Sequence, residues 1–205
     1  MSQPAPELDR FAYGDYRRWP DDQRWELIGG EAYDMRPAPT RAHQERVVEI
    51  ARQIGNFLLD RPCAVYVAPF DVRLPKADEA DDEVDTVVQP DIAVVCDPNK
   101  LDDAGCRGAP DWIVEVLSPR TAAKDQGAKR DAYERAGVRE YWFVHPTDRT
   151  LTIYRLVAGA YGRPEALSLE GETEVAAIDG LRIVWPACSP TPVAWMERSG
   201  IQVRL

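Results

Sequence analysis

Apolar residues recur with helical spacing along two segments of the chain. Residues 40–60 carry an apolar stripe that includes one histidine: His43, Val47, Ile50, Ala51, Ile54 and Leu58. Residues 121–136 carry a second stripe, which mixes small and aromatic residues with two charged ones: Ala122, Asp125, Lys129, Ala132, Tyr133 and Ala136. Both segments are predicted to be helices with a buried face, the first capped by Thr40 and the second ended by Gly137.

Alternating or continuous apolar runs predict the strands. Residues 25–28 and 31–35 flank Gly29-Gly30, and two glycines supply the positive φ angles of a tight hairpin. Further strands are predicted at 64–68, 70–74, 151–156 and 181–185, and a short helix at 8–19.

Two other segments, 87–95 and 112–117, are apolar on both faces, as expected of strands covered from two sides. The second is followed by the helix at 121–136 and by another strand at 140–144. A strand–helix–strand run favours adjacent parallel strands. The predicted fold class is therefore α/β, a mixed β-sheet flanked by helices.

Length and composition limit the number of domains, the expected location and the expected state of the cysteines. The chain has 205 residues, 44% of them hydrophobic, which is enough for a single domain over 1–205 with its core at about 20–185. Neither a transmembrane stretch nor a signal peptide is evident, so a soluble cytoplasmic protein is expected. Its four cysteines show no C-x-x-C pair, and reduced thiols are expected of them. Apolar residues near the C-terminus, among them Trp195, are expected to pack on the chain's own core or, in a homodimer, on a second copy.

The net charge of −10 argues against a protein that coats nucleic acid through a broad basic surface. It does not exclude a nuclease, because enzymes that cut phosphodiesters collect carboxylates around a divalent cation. Much of the acidity lies at residues 78–85, which are predicted to form a solvated loop.

Three charged residues stand where burial is predicted. Asp91 lies in the apolar segment 87–95, Glu115 is the sole charge within 112–117, and Lys129 lies on the inward stripe of the following helix. Each could be structural by itself: Asp91 could cap a bend, Glu115 could pair with an arginine, and Lys129 could extend its ammonium to water. A Mg²⁺ ion, with Mn²⁺ as an alternative, held by Asp91 and Glu115 beside Lys129 would satisfy all three charges together.

Four segments then give a resemblance to the Uma-two family of predicted endonucleases, within the restriction-endonuclease-like PD-(D/E)XK superfamily. They are residues 25–31 (WELIGGE), 88–95 (VQPDIAVV), 114–119 (VEVLSP) and 129–142 (KRDAYERAGVREYW). The similarity spans roughly residues 20–185. It implies a restriction-endonuclease-like fold, a magnesium-dependent nuclease site and DNA as the substrate.

The resemblance also assigns roles to residues. Asp91 matches the aspartate of the PD motif and Glu115 the acidic residue of (D/E)XK. Leu117 stands where the motif lysine usually lies, which puts Lys129 of the following helix in that role. Glu31 matches an acidic family position and is expected to be a further metal or water ligand.

Two residues are expected to support this site. His43 matches a family position, although a core histidine at a helix start is the structural alternative. Asp125 lies one turn before Lys129 and could hold its ammonium in place, or form an ordinary i,i+4 pair. The sequence thus predicts a metal-dependent endonuclease acting on DNA. A nuclease-fold binding module without turnover and a hydrolase of small phosphodiesters or nucleotides are the alternatives.

Overall fold

The computed structural model describes residues 10–20, 22–35, 39–117 and 125–185. Its helices are α1 (Tyr13–Tyr16), α2 (Arg41–Leu58) and α3 (Arg130–Ala136), and a π-helical turn, Asp125–Lys129, leads into α3. The strands before the π-helical turn are β1 (Trp25–Ile28), β2 (Glu31–Asp34), β3 (Ala64–Val67), β4 (Val72–Arg73), β5 (Val87–Val88), β6 (Ile92–Val95), β7 (Leu101–Asp102), β8 (Gly105–Arg107) and β9 (Trp112–Val116). The later ones are β10 (Glu140–His145), β11 (Thr150–Val157), β12 (Ala160–Tyr161), β13 (Glu165–Ser168), β14 (Glu172–Glu174) and β15 (Arg182–Val184).

Two mixed sheets form the body of the described chain. The central sheet has the order β12-β11-β10-β9-β6-β3, with β13 also paired to β11. The hairpin sheet has the order β2-β1-β5-β4-β8-β7. Strands β9 and β10 are parallel neighbours and α3 lies between them in the chain, which confirms the predicted strand–helix–strand unit and the α/β fold class.

The central sheet is covered on both faces. One face packs on the apolar stripe of α2, with Trp112 and Trp142 in edge-to-face contact at 4.8 Å between ring centroids. The other face packs on the hairpin sheet and on α3, through residues such as Ile113, Tyr141 and Tyr133. This arrangement explains why the strands predicted to be covered from two sides carry so few polar residues.

The predicted strand at 87–95 is in fact two strands in different sheets. Strand β5 pairs with β1 and β4 in the hairpin sheet, whereas β6 pairs with β3 and β9 in the central sheet. The break falls at Gln89-Pro90-Asp91, where Pro90 has no N–H to donate to a ladder. Residues 89–91 therefore cross from one sheet to the other, and they bring polar groups between them.

The cysteine prediction is corrected for one pair. Cys63 and Cys96 form a disulfide. The register of β3 on β6 pairs Ala64 with Val95, so the cysteines that flank these two residues lie opposite each other. Cys106 is a free, buried thiol, and burial raises its pKa to about 11.

Two local predictions differ from the structure. The helix predicted at 8–19 is reduced to the single turn α1 within the described residues. The acidic segment 78–85 is partly paired rather than only solvated: Arg73 binds Asp81 at 2.6 Å, and Lys76 pairs with Asp85. The buried Arg73 guanidinium thus attracts carboxylates that composition alone assigns to solvent.

Some expectations fall outside the described residues. The first part of the helix predicted at 121–136 lies there, and so do Cys188 and Trp195. None of the described helices is both long enough and apolar enough to span a bilayer.

Candidate active site

The register of the central sheet places Asp91 opposite Glu115. Ile92 pairs with Val114 across antiparallel strands β6 and β9, and one step further along the ladder Asp91 faces Glu115. The Asp91 N–H lies 3.4 Å from Glu115 Oε2, and the Val116 N–H donates to Asp91 Oδ2 at 2.8 Å. The two predicted carboxylates are therefore brought together, as expected from the sequence.

Lys129 reaches the same place from the end of the π-helical turn. Its side chain is buried together with Ala132 and Tyr133 of α3, which is the inward stripe predicted from sequence. Lys129 Nζ lies 2.8 Å from Glu115 Oε1, and the Tyr133 hydroxyl donates to the same oxygen at 3.2 Å. Lys129 as a whole is only 1% exposed, so its charge is compensated by carboxylates rather than by water.

Glu26 is a third carboxylate in this cluster, and the sequence prediction missed it. It projects from β1, is fully buried, and lies 2.7 Å from Lys129 Nζ through its Oε1. The Gln89 backbone N–H donates to the same oxygen at 2.8 Å, so the crossing segment 89–91 also fixes this carboxylate. Glu26 is a lone charge between Trp25 and Leu27, but β1 has only four residues, too few to display the apolar pattern that singles out Glu115 in β9.

Glu31 does not lie in this cluster. It pairs with Ile28 next to the hairpin turn, where it is exposed and accepts a hydrogen bond from the Tyr33 hydroxyl at 2.9 Å. Glu26 is paired with Tyr33 further from the turn, where the hairpin enters the core. The hairpin carboxylate that reaches Lys129 is therefore Glu26, and a ligand role for Glu31 stays a prediction.

His43 meets Asp91 from the first turn of α2. Thr40 caps this helix by accepting the His43 backbone N–H at 3.3 Å, which fixes the turn that carries the imidazole. His43 Nε2 lies 3.0 Å from Asp91 Oδ2. The predicted supporting role for His43 thus has a geometric basis. Asp125 belongs to the π-helical turn, but its side chain lies outside the described part of the structure, so its role stays a prediction.

One carboxylate oxygen of the cluster, Asp91 Oδ1, is available to a ligand. Both side-chain hydrogen bonds of Asp91 use Oδ2, and among the described residues Oδ1 has no hydrogen-bond partner. The Asp91 side chain is 18% exposed, whereas those of Glu115 and Lys129 are 5% and 2% exposed. Asp91 therefore lies where the buried cluster meets solvent.

The donor set fits a magnesium-like ion. No group of three or more His, Cys, Asp or Glu side chains in the described chain is arranged to hold a metal. Mg²⁺ does not need such a group, since it usually binds one or two carboxylates and completes its shell with waters and substrate phosphate oxygens. Asp91 and Glu115 supply two hard oxygen donors across one ladder step, and Glu26 adds a third carboxyl group beside Lys129. Oxygen donors of this kind suit a divalent cation such as Mg²⁺.

A second polar network holds the crossing segment in place. The Gln89 amide donates to Asp71 Oδ1 at 2.8 Å, and the Tyr16 hydroxyl donates to the same oxygen at 3.0 Å. Burial raises the pKa of Asp71, the hydrogen bonds from Gln89 and Tyr16 oppose this rise, and the nearby charge of Glu26 adds to it. Arg24 completes the network by donating from two nitrogens to Gln89 Oε1, at 3.2 and 2.7 Å.

Known proteins resemble this chain over most of its length. The model of the Uma2 family, described as "Putative restriction endonuclease", matches residues 13–186. An uncharacterized protein of Synechocystis sp., slr1290, is 24% identical over 154 residues, which cover 74% of this chain and 77% of that protein.

A solved structure shares the fold. A crystal structure titled as a putative nuclease belonging to DUF820, from Anabaena variabilis, superposes with a TM-score of 0.67 at 17% identity. The match covers 85% of this chain and 94% of that one. At this identity the likeness concerns the fold alone, which is restriction-endonuclease-like. Because the family model spans both sheets and all the residues of the cluster, the chain belongs to the Uma2 family of nuclease-like proteins.

Proposed function

We propose that this protein is a metal-dependent endonuclease that hydrolyses DNA phosphodiester bonds at the cluster of Asp91, Glu115, Glu26 and Lys129. The observation that carries the proposal is the opposed pair Asp91 and Glu115, in which Asp91 Oδ1 has no hydrogen-bond partner among the described residues and Glu115 binds the buried Lys129. Membership of a nuclease-like family supports the reaction class.

Asp91 and Glu115 would hold the ion, Mg²⁺ or Mn²⁺. A bound divalent cation would polarise the phosphodiester and lower the pKa of an attacking water. The protein's own contribution is to fix both carboxylates before substrate arrives. The Val116 N–H and His43 orient Asp91, while Lys129 and Tyr133 orient Glu115 through its Oε1.

Lys129 would act by electrostatics from a fixed position. Its ammonium forms ion pairs with Glu26 and Glu115 at 2.7 and 2.8 Å. The ammonium is therefore already in place and needs little movement when negative charge develops on the substrate. A preorganised cation stabilises negative charge that builds up on phosphate oxygens during displacement. Glu26 thereby has a positioning role: it holds the lysine and offsets its burial.

We expect the native protein to nick and linearise plasmid DNA when Mg²⁺ or Mn²⁺ is present, and to stop when EDTA is added. The physical reason is the dependence of the carboxylate pair on a divalent ion. Initial rates on plasmid, single-stranded DNA and a small aryl phosphodiester would be compared at equal protein concentration.

The same assay separates the alternatives. Turnover of the aryl phosphodiester without cleavage of either DNA would indicate a hydrolase of small phosphodiesters. Absence of cleavage with every ion, in protein shown to be folded by circular dichroism, would contradict the proposed function and favour a binding module. The comparison with the small aryl phosphodiester is needed because a net charge of −10 weakens the non-specific attraction of this protein to DNA.

A further inference from the structure

The guanidinium of Arg24 is bound in an uncommon way for a half-buried arginine. Its Nε and Nη2 both donate to Gln89 Oε1, a neutral amide oxygen. Across the described residues Arg24 forms no ion pair with a carboxylate, although the protein as a whole carries an excess of acidic residues. A guanidinium has five N–H donors, and two hydrogen bonds to an amide leave both its charge and further donors available.

Arg24 lies on the same side of the hairpin as Glu26. The Met35 N–H donates to the Arg24 carbonyl at 2.9 Å, which extends the β1–β2 ladder by one step beyond Trp25. Residues two apart on a strand point to the same face. Glu26 is the deep member of this pair, fully buried against Lys129, while Arg24 is the outer member and is partly exposed.

Gln89 connects the two. Its backbone N–H binds Glu26 Oε1, and its side-chain oxygen receives Arg24. The next residues of the crossing segment are Pro90 and the proposed ligand Asp91. Contacts therefore run in the order Lys129, Glu26, Gln89 and Arg24, from three buried residues of or beside the cluster to the partly exposed Arg24.

We propose that Arg24 binds a backbone phosphate of the DNA next to the scissile one, as a substrate-binding residue of this site. The inference rests on the proposed function. A planar guanidinium can donate two parallel hydrogen bonds to phosphate oxygens. Gln89 holds the Arg24 guanidinium in one orientation and, being neutral, does not neutralise its positive charge. In a protein with a net charge of −10, a guanidinium held in a fixed position is a direct means of placing the DNA strand.

The test compares Arg24→Ala, Arg24→Lys and a matched control, Arg163→Ala. Arg163 is exposed between β12 and β13, at the far edge of the central sheet, and its replacement removes the same charge. Affinity for a short fluorescein-labelled duplex would be measured by anisotropy at several salt concentrations, with Ca²⁺ in place of Mg²⁺. Steady-state cleavage with Mg²⁺ would give kcat and KM.

Arg24→Ala is expected to weaken binding roughly tenfold, the effect of losing one charge-assisted hydrogen bond. The slope of log K against log salt should fall in magnitude by about 0.9, the value for one phosphate contact on duplex DNA. KM should rise while kcat changes little. Arg24→Lys should retain the native slope, because it keeps the charge, with an intermediate affinity. Arg163→Ala should behave as native protein.

The outcomes separate this inference from the proposed function. If the native protein cleaves DNA but Arg24→Ala matches Arg163→Ala in slope and affinity, Arg24 does not bind phosphate, and the active-site assignment stands. If Arg24→Lys loses kcat and melting temperature as much as Arg24→Ala does, the residue only holds Gln89, which also overturns the inference. If the native protein neither binds nor cleaves DNA, both proposals fall.

Discussion

Glu115→Gln is expected to lower the rate of metal-dependent DNA cleavage by about 10²–10³-fold. Glu115 faces Asp91 across the ladder and holds Lys129 through its Oε1 at 2.8 Å. The amide keeps the shape of the side chain but removes the negative charge that a cation needs, and it no longer compensates the buried ammonium. Initial rates of plasmid nicking at saturating Mg²⁺ would measure the loss.

Glu170→Gln is the control for this change. Glu170 is an exposed carboxylate between β13 and β14, so its replacement alters the net charge equally and leaves the cluster intact. Its rate should stay within about twofold of native, since surface substitutions of this kind are nearly neutral. Equal nicking by Glu115→Gln and Glu170→Gln, in folded protein, would remove Glu115 from the site.

Lys129→Met is expected to cost about 3–5 kcal/mol in free energy of unfolding at neutral pH. Methionine preserves most of the apolar stem but leaves Glu26 and Glu115, which are 0% and 5% exposed, without the ammonium that lies between them. Two buried carboxylates without a cation repel each other and have lost hydration. Urea unfolding followed by tryptophan fluorescence would give the difference.

The cause of that deficit can be isolated by pH and by a second substitution. Acidification protonates one of the two carboxylates and relieves the repulsion, so the deficit should narrow as the pH falls toward about 4.3, the ordinary pKa of Glu. Adding Glu26→Gln to Lys129→Met should recover part of the stability. A deficit that is unchanged by both manipulations would show that Lys129 contributes packing rather than charge compensation.

The sequence predicts those members of the cluster that are the one charged residue at a buried position of an otherwise apolar strand or helix face. Asp91, Glu115 and Lys129 were found in this way, and the parallel unit around α3 followed from the order of elements. Burial of a charge is costly, so a lone charge in an apolar element requires a partner.

The hairpin carboxylate shows the limit of this reasoning. Glu31 is selected because it matches an acidic family position directly after Gly29-Gly30. Glu26, which contacts Lys129, lies in a strand too short to display an apolar pattern. Which of the two is buried depends on how the hairpin sheet packs on the central sheet. That packing is a long-range property that local spacing does not contain.

The passage of residues 89–91 from one sheet to the other is also not predictable from the local sequence pattern. Residues 87–95 are apolar except for Gln89 and Asp91, and this pattern resembles one long strand. It does not reveal that the chain passes from one sheet to the other at Pro90. The consequence is functional, because the crossing brings Asp91 to Glu115 and Gln89 to Glu26 within three residues. The disulfide between Cys63 and Cys96 was missed for a similar reason, since it depends on strand register.

Binding of Mn²⁺, measured by electron paramagnetic resonance on the metal-free protein, tests the central claim most directly. The native protein and Glu170→Gln should bind one ion with equal affinity, whereas Asp91→Asn should weaken that affinity by more than about tenfold, because it removes a charged oxygen ligand. Undiminished Mn²⁺ binding by folded Asp91→Asn would contradict the assignment of this carboxylate pair as the metal site.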